Sequence, residues 1–162
     1  MEIGFKTDKG RVRSNNEDAC YVIPRKNVFI VADGVGGSNS GEIASRTAVT
    51  EIAKYIETHD LDDSFDEEGI RAFFTEIIEA ANLIVLENSM KFEQNRGMAT
   101  TLVLSYINDG KAYICNVGDS RAYIFRNEKL TQITEDHTYV NSLVKAGVIT
   151  HKEAEKIGRA HV

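Results

Sequence analysis

Ala19-Cys20-Tyr21-Val22-Ile23-Pro24-Arg25-Lys26-Asn27-Val28-Phe29-Ile30-Val31-Ala32 decides the fold class. Two β-rich runs, 19–23 and 28–32, flank a polar four-residue stretch that opens with proline, and that pattern predicts a hairpin. With the turn centred between Arg25 and Lys26, residues pair when their numbers sum to 51, as Asp18 and Asp33 do. The two carboxylates would then face each other on neighbouring strands, their Cβ atoms ~4.5–5.5 Å apart. Glu17 adds a third acid beside them. Such neighbours raise each other's pKa, and a hard divalent cation with oxygen ligands, Mg²⁺ or Mn²⁺, relieves the repulsion. The same residues also read as solvated turn residues, since a register slip of one position undoes the pairing.

Beyond the hairpin the period changes. Ile43, Thr47, Ala48, Ile52, Tyr55 and Ile56 recur three or four apart, which predicts an amphipathic helix of about four turns beginning at Gly41. An acidic, aperiodic surface loop spans His59–Glu68. A second helix carries Ile70, Phe73, Phe74, Ile77, Ile78, Ala81, Ile84 and Val85. After Gly97 come strand-like runs at Thr100–Ile107, Ala112–Val117, Ala122–Phe125 and Leu130–Ile133, parted by Asn108-Asp109-Gly110, Gly118-Asp119-Ser120 and Asn127-Glu128. Connections so short predict antiparallel neighbours. A last helix falls near Asp136–Ala146, before Gly147. Strands, helices, strands and a helix in segregated order give an α+β class and one domain over residues 1–162.

Composition bounds the function. The 162 residues include 42% hydrophobic and 27% charged, an ordinary globular balance. No apolar run approaches ~18 residues, and nothing reads as a signal peptide. Cys20 and Cys115 sit in apolar strands and read as small buried residues of a reducing compartment. Nineteen basic against 25 acidic residues give −6 with no basic stripe, which argues against nucleic acid. The expectation is a cytoplasmic domain that contacts neither membrane nor nucleic acid.

Asp33 opens Asp33-Gly34-Val35-Gly36-Gly37, read as a glycine-rich loop between strand and helix that lets backbone approach a ligand. Its spacing matches neither G-x-G-x-x-G nor a P-loop, and a plain turn also fits. Arg13, four residues before Glu17, could bind a phosphate dianion bidentately or be a surface charge. Gly118-Asp119-Ser120-Arg121 reads first as a tight turn, and His137 after Asp136 as structural. No serine lies in a nucleophile elbow, and neither cysteine has a base nearby in sequence, so covalent catalysis has no support.

Taken together, Arg13-Ser14-Asn15-Asn16-Glu17-Asp18, Val31-Ala32-Asp33-Gly34-Val35-Gly36-Gly37, Gly97-Met98-Ala99-Thr100-Thr101-Leu102 and Asn116-Val117-Gly118-Asp119-Ser120-Arg121-Ala122 resemble, in order, the motifs of the metal-dependent protein phosphatases (PPM family, type 2C). The bacterial Ser/Thr branch is the nearest match, and the likeness continues through Gln132–His137 and Ala146–Thr150. The resemblance implies an α-β-β-α sandwich of antiparallel sheets flanked by helices. It implies hydrolysis of phosphoserine and phosphothreonine by a metal-activated water, with two Mn²⁺ or Mg²⁺ ions and a third, weaker one. Asp33 would bridge the two ions, the Gly34 carbonyl would serve one, and Glu17 and Asp18 would act as further acidic groups. Asp119 would serve the third ion, Arg13 would hold the substrate phosphate, and Gly147–Thr150 would be a flap beside the site. Val35 stands where some members have a histidine proposed as general acid.

The partners implied are phosphorylated Ser/Thr proteins, including a cognate bacterial Ser/Thr kinase, acted on by a monomer. Two further metal-binding aspartates of the family, in D-G and D-N motifs, would lie past Val162, and Ile157–Val162 departs from the family pattern. The chain therefore reads as C-terminally truncated and poorly active alone. The alternatives are a non-catalytic module that binds phosphoproteins and an unrelated metal- or nucleotide-binding module.

Overall fold

The computed structural model describes residues 1–37, 40–59, 61 and 65–154. Part of the acidic connection at His59–Glu68 and the closing Ile157–Val162 therefore lie outside the described residues. Strand β1 (Asp18–Ile23) and strand β2 (Val28–Val35) pair antiparallel, with Asp18 opposite Asp33, Ala19 opposite Ala32 and Ile23 opposite Val28. A 3₁₀ turn over Pro24–Lys26 closes the hairpin, and Asn27 takes a left-handed conformation at φ 50° before the chain re-enters the sheet. Asparagine tolerates that region better than most residues.

Helix α1 (Ser40–Thr58) and helix α2 (Glu67–Lys91) follow, both longer than their apolar periods predict. Their polar ends carry no periodic signal; Asp66 starts α2 by accepting a hydrogen bond from the Gly69 amide at 2.8 Å. Short strand β3 (Ala99–Thr100) pairs with the end of β2, β4 (Leu102–Asn108) with its first half, and β5 (Lys111–Val117) with β4. The sheet order is β1-β2-β4-β5, with β3 beside β2. Alternate residues Val28, Ile30 and Ala32 of β2 share one core with Leu104 of β4, Ile52 and Ile56 of α1, and Phe74 and Ile77 of α2. Burying side chains of this size contributes about 1.5–3 kcal/mol each, which holds both helices on one face of the sheet. Lys26, in the hairpin turn, donates from Nζ to the Ile56 and His59 carbonyls and ties the turn to the end of α1.

Two expectations need correction. Asp33-Gly34-Val35 is not loop: β2 runs through it, with Gly34 opposite Thr100 and Val35 opposite Ala99. Nor does Gly118–Ser120 fold β5 back onto the next strand. Gly118 is left-handed at φ 92°, and Ser120 Oγ lies 2.6 Å from Thr101 Oγ1, so the chain is led away from the sheet. Strands β6 (Tyr123–Arg126) and β7 (Lys129–Gln132) pair only with each other. Asn127 and Glu128 both have positive φ, 51° and 61°, the backbone of a type I′ turn.

Helix α3 (Tyr139–Lys145) starts later than expected because Thr138 caps it and Asp136 is engaged by Arg121. It ends at Gly147, φ 70°, whose amide donates to Val144 O while the Val148 amide donates to Leu143 O, a Schellman closure. The architecture is α+β, with antiparallel sheets and helices, as the segregated order predicts.

Candidate active site

Ala19 and Ala32 are buried towards the helices, so the pleat turns their neighbours Asp18 and Asp33 to the opposite face. Arg13, Glu17, Asp18 and Asp33 line one polar cleft of about 200 Å³, joined by Asp8, Lys9 and Asn16. Burial pushes the Asp33 carboxyl above its ordinary value. Asp18, Asp119 and Glu17 add like-charge repulsion in the same direction, and only the Arg13 guanidinium opposes it. Four of the residues singled out in the sequence thus share the cleft. Asp119 arrives from the loop after β5, and its charge acts on Asp33 from there.

The backbone behind the acids is closely packed. The Glu17 carbonyl accepts from the Gly34 amide at 3.1 Å and from Ser45 Oγ of α1 at 2.6 Å. Gly34 is buried, and a Cβ there would lie 1.9 Å from the Gly41 carbonyl oxygen. A Cβ on Gly41 would in turn lie 2.6 Å from Glu17 Oε1. These glycines are required by close approach of α1 to the carboxylate strands, and neither has a positive φ. Asn15 donates to Glu42 Oε2 on α1 at 2.9 Å, and Asn16 Oδ1 accepts from the Asp18 amide at 3.1 Å. The segment before β1 is thereby held against both helix and strand.

Asp33 itself is held from the other side. Its amide donates to Thr101 Oγ1 at 3.0 Å, and its carbonyl accepts from the Thr101 amide at 2.9 Å and from Thr100 Oγ1 at 3.1 Å. Ser45, Gly41, Thr100, Thr101 and Ser120 were assigned no place in the site by the sequence, although Thr100, Thr101 and Ser120 stand within motifs quoted above. The adjacent threonines within a strand pattern were the available signal, because hydroxyls compete for backbone hydrogen bonds.

Around the cleft the acidic donors are all oxygen: two opposed carboxylates, with Glu17 and Asp119 nearby. That chemistry fits a hard cation such as Mg²⁺ or Mn²⁺. Among the described residues no three Asp, Glu, His or Cys side chains converge closely enough to enclose an ion on their own. The chain's contribution is therefore an opposed pair with further acids around it. Cys115 is free and half-buried on β5, and burial pushes its thiol up, away from thiolate chemistry. Asp136 is paired with Arg121 through both oxygens, at 2.8 Å and 2.5 Å, and so takes a structural part. Among the described residues no helix is long and apolar enough to cross a membrane.

Residues 8–157 match the family model described as Protein phosphatase 2C. The chain is 37% identical over 167 residues to Serine/threonine phosphatase stp of Listeria monocytogenes serotype 4b, a match covering 100% of this chain and 65% of the relative. Serine/threonine phosphatase Stp1 from Staphylococcus aureus superimposes with a TM-score of 0.79 at 32% identity, covering 94% of this chain and 63% of that one. The catalytic domain of the serine threonine protein phosphatase PstP, solved in complex with two manganese ions, superimposes at 0.75 and 33% identity, over 92% of this chain and 61% of that one. The chain spans 65% or less of the length of each of these relatives.

Proposed function

The chain belongs to the protein phosphatase 2C family, and from that premise we propose that it is a protein serine/threonine phosphatase of the bacterial branch. Its substrates are phosphoserine and phosphothreonine in proteins, a cognate Ser/Thr kinase among them, and it works as a cytoplasmic monomer. The observation that carries the reading is the opposition of Asp18 and Asp33 in a cleft that also holds Arg13.

In this reading Asp33, the Gly34 carbonyl, Glu17 and Asp18 hold two Mn²⁺ or Mg²⁺ ions, and Asp119 serves a third. The two manganese ions in the PstP structure support metal dependence. A bound cation supplies Lewis acidity towards the phosphoryl oxygens and lowers the pKa of water. The chain's own residues do the rest. Arg13 presents a planar, permanently charged fork that donates to two phosphoryl oxygens and orients the ester. The Asp18–Asp33 pair repels an uncompensated dianion, so substrate binding and cation binding are coupled through this cleft. Cys115, its thiol raised by burial, does not line the cleft.

The test is hydrolysis of p-nitrophenyl phosphate and of a phosphothreonine peptide, titrated with Mn²⁺, against an Asp33→Ala control. Turnover that requires Mn²⁺ and is lost in the control supports the reading. Turnover without metal, turnover surviving the substitution, or none from folded protein overturns it for this stretch of chain.

A further inference from the structure

The ladder of β2 with β3 and β4 is interrupted at Ala32 and Asp33. Gly34–Thr100 and Val31–Val103 fix the register, so Thr101 is the residue that faces Asp33. In an antiparallel ladder two residues so placed exchange both amide-to-carbonyl bonds or neither. Here only one is made between main chains, from the Thr101 amide to the Asp33 carbonyl. The reciprocal donor, the Asp33 amide, goes to the Thr101 hydroxyl at 3.0 Å, and the Thr101 carbonyl shares the Thr100 hydroxyl with the Asp33 carbonyl, at 3.0 and 3.1 Å. That exchange of a carbonyl for a hydroxyl separates β3 from β4.

The hydroxyl has a second partner. Thr101 Oγ1 lies 2.6 Å from Ser120 Oγ, in the loop that carries Asp119. The same side chain abuts Gly118, where a Cβ would sit 2.8 Å from Thr101 Cγ2. The Asp33 amide occupies one lone pair of Oγ1, which leaves its proton and its second lone pair to pair with the Ser120 hydroxyl. One side chain therefore touches the backbone of Asp33 and the residue next to Asp119, two acids whose like charges repel.

We propose that Thr101 is a positioning residue that fixes Asp119 relative to Asp33, so that its hydroxyl sets how strongly divalent cations bind beside the two acids. This rests on the metal reading above. A hydroxyl that only completed the ladder would need no partner in the loop after β5, and a carbonyl would have served in its place. Groups of this kind behind a ligand change metal affinity by about 10–100-fold when removed.

The experiment is Mn²⁺ binding to the chain, read from loss of the free-ion electron paramagnetic resonance signal, with folding checked by circular dichroism. Thr101→Val, which keeps the shape and removes the hydroxyl, is expected to weaken binding at least ~10-fold, and Thr101→Ser to retain wild-type affinity. Ser120→Ala leaves the Asp33 bond in place and is expected to reproduce the loss, which decides the matter if Thr101→Val does not fold. In an Asp119→Asn background Thr101→Val should cost nothing further. Wild-type affinity in folded Thr101→Val or Ser120→Ala overturns the inference while leaving the metal reading intact. Absence of Mn²⁺ binding by the wild-type chain overturns the metal reading itself, and this inference with it.

Discussion

Asp18 and Asp33 face each other across the β1–β2 ladder, one at the start of its strand and the other near the end of its own. The hairpin's four-residue turn sets that relationship, because each residue added to or taken from it would move Asp18 off Asp33. The candidate site is therefore built by a turn located about six residues away, and its electrostatic strain follows from the register.

The first prediction concerns that strain. A carboxyl whose folded pKa is raised holds its proton more tightly in the fold than in the unfolded chain. Its ionisation then destabilises the fold above the folded pKa, and the penalty fades as pH falls through that value. Asp33, raised by burial and by Asp18, Asp119 and Glu17, should behave so in metal-free protein. Asp33→Asn is expected to raise Tm at pH 7 by a few degrees at most, since 1 kcal/mol moves Tm by about 2–4 °C in a chain this long. The gain should disappear below the unfolded value of 3.8. A Tm difference that does not change with pH would show that Asp33 is not strained. With Mn²⁺ added the order should reverse, the wild type gaining stability that the variant cannot.

Gly34 tests close packing behind the acids. A methyl group at that position meets the Gly41 carbonyl oxygen at 1.9 Å and the Glu17 carbonyl oxygen at 2.9 Å, both backbone atoms with no rotamer to change. Gly34→Ala is expected to cost about 3 kcal/mol, the upper range for overpacking, in urea denaturation. Gly37→Ala, where nothing lies within 4 Å of the added carbon, should stay within ~0.5 kcal/mol of wild type. Equal stability of the two variants would refute the close approach of α1 to β2.

Residue spacing made the hairpin legible, down to the pairing of Asp18 with Asp33, because period-two burial and a proline-bearing turn leave few registers. Arg13, Glu17 and Asp18 were legible with it, being a few residues from one strand end. The division of β3 from β4 was not, since it depends on which acceptor the Asp33 amide chooses, and Thr101 offers two. The separation of β6 and β7 was hidden for a similar reason: a Gly-Asp-Ser stretch looks like a hairpin turn until a hydroxyl elsewhere holds the serine. The placement of Gly34 in a strand was missed because glycine signals a turn and a close contact equally well, and only the position of α1 distinguishes them.

Ser45 is wholly buried on α1, with its hydroxyl donating to the Glu17 carbonyl at 2.6 Å. Ser45→Ala removes that donor, while the carbonyl keeps the Gly34 amide. The loss is therefore expected near 1 kcal/mol, the net value of one hydrogen bond with no acceptor left bare. Chemical denaturation measures it, and a Mn²⁺ titration of the same variant should show weakened binding as the Glu17 segment loosens. A stability change above ~3 kcal/mol would mean that Ser45 does more than hold this carbonyl.

Arg121 and Asp136 close the loop that carries Asp119 onto the segment before α3. Their bond is bidentate, yet Arg121 is 47% exposed and Asp136 17%, so solvent screens much of it. A double-mutant cycle with Arg121→Ala and Asp136→Ala should give a coupling energy below about 1 kcal/mol. The Arg121 hydrogen bonds hold the Asp136 carboxyl below its ordinary value of 3.8. A depressed folded pKa stabilises above the unfolded value and loses that contribution as pH falls through the folded one. The coupling should thus be constant from neutral pH down to about pH 4, and decline below it as pH falls towards the folded value. Added salt should reduce it at pH 7, because half of the pair is open to water. Coupling that stays unchanged between about pH 4 and pH 2 would assign the contact to packing of the guanidinium rather than to its charge.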